Sequence, residues 1–230
     1  ICDIAKRINF NVVSDLSEPM KTDLMCNYDI VEMAKMNAGS SLLKSLMYQS
    51  GYLTIKKYDS ETMEYFLDFP NGEVRKTFVP KLLDAYLGAG VEQKFSAYSL
   101  LPKFVHGKTE EAIEAVKSIY ASVPNVGADK LNEYSYALGF CCMMLSVGAE
   151  IESEVNTNKG RIDSVLFAGN NIYIIEFKVD QSADEAIKQI KDKGYVEKYK
   201  VYKEQYKIHL VGINFSEKER NISEVKEEKL

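Results

Sequence analysis

Hydrophobic positions change their spacing along the chain, and the change separates a helical first half from a second half rich in strands. Apolar residues recur at helical spacing over residues 41–49 and predict a helix there. Residues 52–58 and 63–69 alternate on either side of a polar turn, which predicts a β-hairpin. A second helix, capped by Asn71 and running to about Leu87, is expected to follow.

The order helix, hairpin, helix is similar to that of a winged-helix module. Further helices are predicted near residues 91–104 and 109–121, and a polar break follows residue 122. We place a functional boundary at this break. Residues 1–122 are therefore expected to form a mostly helical, winged-helix-like region, and residues 123–230 a separate domain.

The second half predicts an α/β fold. A long apolar helix over residues 128–147 precedes segments of strand-like spacing, and one further helix interrupts them. The order helix, three strands, helix, strand is typical of a mixed sheet flanked by helices. The charged tail, residues 217–230, is expected to be frayed. The predicted strands are residues 150–155, 163–168, 172–179 and 207–215, and the interrupting helix is residues 182–203.

Composition narrows the classes of function. The chain has 230 residues with 46% hydrophobic side chains, enough for one large or two small domains, and no apolar run near 18 residues that would span a membrane. Its net charge is −5 without a basic stripe, so contact with nucleic acid is expected to be local, metal-assisted or shared with another domain. Adjacent Cys141 and Cys142 in an apolar helix indicate reduced thiols of a cytoplasmic protein.

The candidate chemistry lies on two neighbouring strands. Glu176 and Lys178 are two residues apart, so both side chains point to one face of the sheet. If Gly169 and Asn170 form a two-residue turn, Asp163 lies directly opposite Glu176, whereas a three-residue loop would separate the two carboxylates. Paired carboxylates without His or Cys suit Mg²⁺ or Mn²⁺. The helix that begins near Glu133 is expected to cover the face that carries Lys178, so that Glu133 could complete the metal shell.

These residues also resemble a known family. Gly160-Arg-Ile-Asp163, followed after twelve residues by Glu176-Phe-Lys178, resembles the motif of the PD-(D/E)XK nuclease superfamily. The resemblance implies a restriction-endonuclease-like fold and metal-dependent hydrolysis of phosphodiester bonds, with DNA as the expected substrate. It implies a metal site formed by Asp163, Glu176, Glu133 and the carbonyl of Phe177, with Lys178 acting on water or phosphate and Gln189 as a further catalytic residue.

Two features of the resemblance concern the surrounding chain. Gln189 and Tyr195 are six residues apart and share no helical stripe unless Gly194 distorts the helix, while many relatives resemble Q-x-x-x-Y. Segments 51–55 and 69–74 look like the end of an AAA-ATPase-like region found upstream of the nuclease-like domain in a bacterial and archaeal branch. Because the chain begins without Met, we expect a fragment whose upstream partner is an ATPase-like domain of the same protein.

Simpler interpretations stand beside this one. Asp163 and Glu176 could be ordinary strand charges paired by Lys178, although the surrounding strand is apolar on both faces and charges are costly there. Arg161 is expected either to contact phosphate or to pair with Glu152 or Glu154. The alternative function is a catalytically inactive nuclease-fold module that binds nucleic acid or protein. Two further residues are expected to be structural, Thr109 as a helix cap and His209 as a satisfied strand residue.

Overall fold

The computed structural model describes residues 1–2, 5, 10–17, 20–21, 40–87, 99–122 and 132–230. The chain forms two compact units, residues 1–86 and 87–230. The parts of the predicted helices that fall on residues 91–98 and 128–131 lie outside the described residues. Within the described part of the chain, no helix is both long and apolar enough to cross a membrane.

The first unit has the predicted order of helix, hairpin and helix. Gly51, with φ of +78°, follows the first of these helices, and the Asn71 side chain accepts a hydrogen bond from the Val74 N–H at 2.9 Å to cap the second. Phe78 lies between Tyr52 and Phe69, with ring centroids 5.2 and 5.8 Å away. The elements are α1 (Ser14–Ser17), β1 (Met20–Lys21), α2 (Ser40–Gln49), β2 (Thr54–Asp59), β3 (Glu64–Asp68) and α3 (Gly72–Leu87), with strand order β1-β3-β2.

The second unit is a five-stranded mixed sheet flanked by helices, which confirms the predicted α/β architecture. The strands lie in the order β4-β5-β6-β7-β8; β6 and β7 are parallel and the other neighbours are antiparallel. The elements are α4 (Leu100–Val105), α5 (Thr109–Ala121), α6 (Glu133–Ser146), β4 (Glu150–Thr157), β5 (Gly160–Ala168), β6 (Asn171–Val179), α7 (Ala183–Asp192), a 3₁₀ helix (Tyr195–Tyr202), β7 (Lys207–Ser216) and β8 (Asn221–Lys229).

The two faces of this sheet are covered by different helices. On one face, α6 packs Phe140 against Phe177, with ring centroids 5.6 Å apart, and its Cys141 thiol lies 3.2 Å from the Ser164 hydroxyl. On the other face, Ile187 and Ile190 of α7 join a buried apolar cluster with residues of β5 and β6. Because side chains alternate along a strand, residues next to one another on β6 face different helices.

Two predictions for the second unit are wrong in their details. The helix expected over residues 182–203 is divided, because Gly194 adopts a left-handed conformation with φ of +61° and the chain continues as a 3₁₀ helix. The tail expected to fray forms β8 on the edge of the sheet. Its charges have partners there: the Glu224 carboxylate accepts the Ala183 N–H at 2.8 Å, and Lys191 pairs with Glu228 at 2.6 Å.

The start of α5 also differs from prediction. Its N-cap position is Lys108, with no side-chain capping bond, and the Thr109 hydroxyl instead donates to Glu227 of β8 at 2.7 Å. Helix α5 thus packs with the sheet in the second compact unit. The functional boundary predicted near residue 122 stays a prediction, since compactness does not show where a functional domain begins.

Gly212 sets how closely α7 approaches the sheet, and this is testable. A methyl group on Gly212 would lie 2.4 Å from the Ala183 carbonyl oxygen and 2.9 Å from the Ala186 Cβ. We expect Gly212→Ala to destabilise the protein by about 1–3 kcal/mol in urea unfolding, because the helix must move away. Gly72→Ala is the control, since nothing lies within 4 Å of its added methyl group; equal stability of the two variants would contradict this packing.

Candidate active site

The β5–β6 hairpin has the predicted register. Its turn is Gly169-Asn170, with φ of +58° at Gly169, and Ala168 pairs with Asn171. The ladder continues in step to Ser164 opposite Ile175, so the next position along β5, Asp163, falls opposite Glu176. There the Asp163 carboxylate accepts a hydrogen bond from the Phe177 N–H at 2.8 Å. The two-residue turn therefore brings the two carboxyl groups together.

Glu176 is the most deeply buried acid at this site, with 1% of its surface exposed. Its Oε1 accepts from the Gln189 side-chain amide and lies 3.3 Å from Lys178 Nζ. Its Oε2 is buried and has no hydrogen-bond partner in the described part of the chain. Burial, and next the negative charge of Asp163, raise the pKa of Glu176 to about 8.

Asp163 shares this environment. Burial raises the pKa of Asp163, and the hydrogen bond from the Phe177 N–H and the charge of Lys178 partly oppose that shift. Two carboxyl groups so close cannot both ionise cheaply unless a cation lies between them.

Lys178 pairs with Glu176, as the simpler interpretation of these strand charges expected. The ammonium group donates to the Phe177 carbonyl oxygen at 2.9 Å and lies beside Glu176 Oε1. These are two of the oxygens that sequence analysis assigned to a metal. Lys178 is only 8% exposed, so its charge stays inside the site.

Gly194 interrupts the helix, and this interruption places Tyr195 near Gln189. The spacing of the two residues requires such a distortion at Gly194 for them to lie together. With α7 ended at Asp192, the Tyr195 hydroxyl donates to the Arg161 carbonyl at 2.8 Å and lies near the Gln189 side chain. A methyl group on Gly160 would lie 3.0 Å from that hydroxyl. Gln189 thus contacts Glu176 directly, whereas Tyr195 bonds to the backbone of β5 and lies beside Gln189.

Glu133 lies differently from the sequence-based expectation. We expected its helix to cover the face that carries Lys178, but α6 packs on the opposite face, against Ser164 and Phe177. Glu133, in the first turn of α6, remains close enough for the charges of Lys178 and Asp163 to affect its pKa, which burial raises. Among the described residues, no group of three or more His, Cys, Asp or Glu side chains is close enough to hold a metal ion.

Glu154 is a neighbour of the site that sequence analysis did not place there. It has φ of +57°, a left-handed conformation that is uncommon for a non-glycine residue. The residues on either side of it pair with Ser164 and Ile162, so Glu154 lies across from Asp163, and its charge contributes to the raised pKa of Asp163. Its carboxylate is 2.5 Å from Arg161 Nη1, so the structural pairing of Arg161 is confirmed. Alternation alone gives no sign of this backbone conformation.

The donors at the site fit a hard divalent cation. Asp163, Glu176 and the Phe177 carbonyl supply oxygen atoms, and the unpartnered Glu176 Oε2 is the observation that such an ion would explain. Mg²⁺ is commonly held by one or two carboxylates, with water and substrate phosphate completing its shell. Asp163 and Glu176 are therefore enough carboxylates to hold Mg²⁺ without a third.

The comparisons with known proteins agree with the geometry. Residues 131–225 match the PD-(D/E)XK nuclease superfamily, and this supports a domain of that superfamily over these residues. The five-stranded mixed sheet with helices on both faces agrees with a restriction-endonuclease-like fold.

A longer relative matches most of the chain. It is a protein of Azotobacter chroococcum mcd 1 named "Uncharacterized protein in vnfD 5'region", 30% identical over 218 residues. The match covers 90% of this chain and 40% of the relative, so the chain spans less than half the length of that protein.

The raised pKa of Glu176 predicts how stability depends on pH. Its carboxyl ionises near 4.5 in the unfolded chain and near 8 in the folded one, so folding weakens as the pH rises between these values. Without divalent metal, Glu176→Gln should therefore gain stability over the parent, by about 1 kcal/mol or more, as the pH rises from about 5 to about 8.

Thermal melts at several pH values in a chelator measure this gain. Exposed Glu204→Gln, which removes a carboxyl group outside the site, is the control. A difference between Glu176→Gln and the parent that stays constant across the pH range would show that the buried carboxyl is not responsible.

Proposed function

We propose that residues 123–230 hydrolyse phosphodiester bonds in nucleic acid, with DNA as the expected substrate and Mg²⁺ or Mn²⁺ as cofactor. One observation carries the proposal: a buried carboxyl group, Glu176, has an unpartnered oxygen and lies beside a second carboxyl group, Asp163. Burying such a pair costs free energy unless a cation uses it. The match to a nuclease superfamily over residues 131–225 supports the same conclusion.

Three groups are proposed to hold the ion. Asp163 and Glu176 would supply carboxylate oxygens and Phe177 its carbonyl. Glu133, at the start of α6, forms no group of three acidic side chains with them among the described residues, so the third carboxylate expected from the sequence is left out of the shell. When bound, the ion supplies Lewis acidity toward a phosphate oxygen and lowers the pKa of a coordinated water. Gln189 holds the Glu176 carboxylate in place through its side-chain amide.

Lys178 has two roles in this proposal. Its ammonium group donates a hydrogen bond to the Phe177 carbonyl oxygen and forms an ion pair with Glu176. It therefore partly neutralises the charge of the carboxyl pair. If the Phe177 and Glu176 oxygens were ligands of a bound ion, the Lys178 ammonium group would be free to turn toward the substrate. There it can orient the attacking water or stabilise the charge that develops on phosphate.

The surroundings of the domain are part of the proposal. We infer that residues 1–122 form the C-terminal part of an ATPase-like region, on the resemblance of segments 51–55 and 69–74 and the helix–hairpin–helix order of the first unit. The greater length of the Azotobacter relative leaves room for such a region. ATP hydrolysis by the full-length protein tests this inference, and its absence would contradict it.

Asp163→Asn is expected to abolish cleavage. The amide keeps the shape of the side chain but removes the negative charge that the ion requires. Cleavage of labelled single- and double-stranded DNA and RNA, with Mg²⁺, Mn²⁺ or chelator, measures activity, and melts with and without Mn²⁺ measure metal binding. Asp192→Asn, at the exposed end of α7, is the control and should behave as the parent.

Lys178→Met is expected to slow cleavage by about 100-fold or more while Mn²⁺ binding is retained or strengthened. The reason is that the Lys178 ammonium competes with the ion for the Phe177 carbonyl and Glu176. Calorimetric titration with Mn²⁺ separates binding from activity. Loss of Mn²⁺ binding in this variant would contradict the competition.

The alternative function predicts a different pattern. A nuclease-fold module that only binds nucleic acid or protein would cut none of the substrates, its melting temperature would ignore Mn²⁺, and Asp163→Asn would leave both properties unchanged. The acidic net charge of −5 is the observation that favours this alternative. These results would replace the enzyme proposal with the binding module.

A further inference from the structure

A cationic cleft lies at the opposite end of β6 from the carboxyl pair. Its volume is about 340 Å³. Asn171, the first residue of β6, lines it, and Glu176 lies five positions further along the strand, about 17 Å away. The cleft is thus distinct from the candidate active site. The lining residues that matter here are His106, Gly107, Asn171, Lys207, His209 and Lys229, which include both histidines of the chain.

The base of the cleft is a buried histidine with both ring nitrogens bonded. His209 is 2% exposed; its Nε2 lies 3.0 Å from Asn171 Oδ1, and its Nδ1 lies 2.6 Å from Glu227 Oε1. The orientation of the Asn171 amide is determined by its Nδ2, which donates to the Val105 carbonyl at 2.9 Å. Since the Asn171 amide oxygen can only accept, the Nε2 of His209 donates to it.

The one carboxylate at this base is already used. Glu227 accepts from His209 and from the Thr109 hydroxyl, and its other oxygen lies 3.4 Å from Lys229 Nζ. Lys207 and His106, which are exposed, form no ion pair with any acidic side chain in the described part of the chain. None of the described lining residues of the cleft is acidic. Positive charge therefore exceeds negative charge at the cleft, because Lys207 has no acidic partner among the described residues and Lys229 shares the single carboxylate of Glu227.

We propose that this cleft binds a phosphate group, from either a free phosphate ester or the backbone of a nucleic acid. The ammonium groups of Lys207 and Lys229 only donate hydrogen bonds, so the ligand must be rich in acceptors and negatively charged. Lysine binds phosphate as a point charge and needs no fixed planar partner. The proposal goes beyond the nuclease function, because nothing in it requires cleavage.

The test uses the full chain carrying Asp163→Asn, in chelator, so that no substrate is cut. Calorimetric titrations with inorganic phosphate, a 5′-mononucleotide, and single- and double-stranded oligonucleotides are run at constant ionic strength. Combined Lys207→Gln and Lys229→Gln should weaken binding of inorganic phosphate and mononucleotide by about tenfold or more. Lys218→Gln is the matched control, because this exposed lysine follows the far end of β7, about 30 Å along the strand from Lys207.

A second measurement locates the ligand without relying on the variants. Phosphate should shift the backbone amide resonances of Gly107 and Asn170 and leave those of β6 near Glu176 unchanged. If the double variant also weakens the oligonucleotides, the phosphate comes from the nucleic acid backbone; if it weakens only the small ligands, the natural ligand is a free phosphate ester. No binding, or equal binding by parent and double variant, overturns the proposal. A parent protein that cuts nothing leaves these titrations unaffected, so the two proposals fail separately.

Discussion

The buried carboxyl group of Glu176 is the constraint on which the second unit depends. A charge on a fully buried central strand is costly, and two donors reduce that cost. Gln189 donates to one oxygen from α7 and Lys178 approaches from the same strand, whereas the carboxyl group of Asp163 on β5 adds to the cost. The second oxygen remains unpartnered. If position 176 had only a structural role, an apolar residue there would avoid the free-energy cost of a buried charge.

The packing of α7 follows from this constraint. Gly212 is the residue of β7 that pairs with Glu176, and its missing side chain lets Ala183 and Ala186 lie directly on the sheet. Gln189 lies one turn beyond Ala186 on the same helix, so the close approach at Gly212 is what brings its amide to the Glu176 carboxylate. A glycine far from the motif in sequence thus determines whether Gln189 reaches the buried acid.

Much of this arrangement could be predicted because it is local. The turn Gly169-Asn170 determines the register of β5 and β6, and the apolar spacing of β4 to β7 predicts where these strands lie along the chain. The remaining features depend on contacts distant in sequence. The charges of β8 predict a frayed tail until their partners, such as Ala183 and His209, are known. The spacing of hydrophobic residues likewise does not predict which face of the sheet α6 covers, or that Glu154 has a left-handed backbone conformation.

The charge distribution explains how an acidic chain could bind phosphate groups at all. With a net charge of −5 there is little long-range attraction for an anion, so binding must rely on cations placed at short range. Both candidate positions hold such cations, and each has a carboxylate next to it: Lys178 beside Glu176, and Lys229 beside Glu227. A phosphate group that binds at either position therefore replaces a carboxylate as the partner of a cation. Replacement of one partner by another depends on the positions of the cations more than on the total charge of the chain. An acidic chain can therefore still bind a phosphate group.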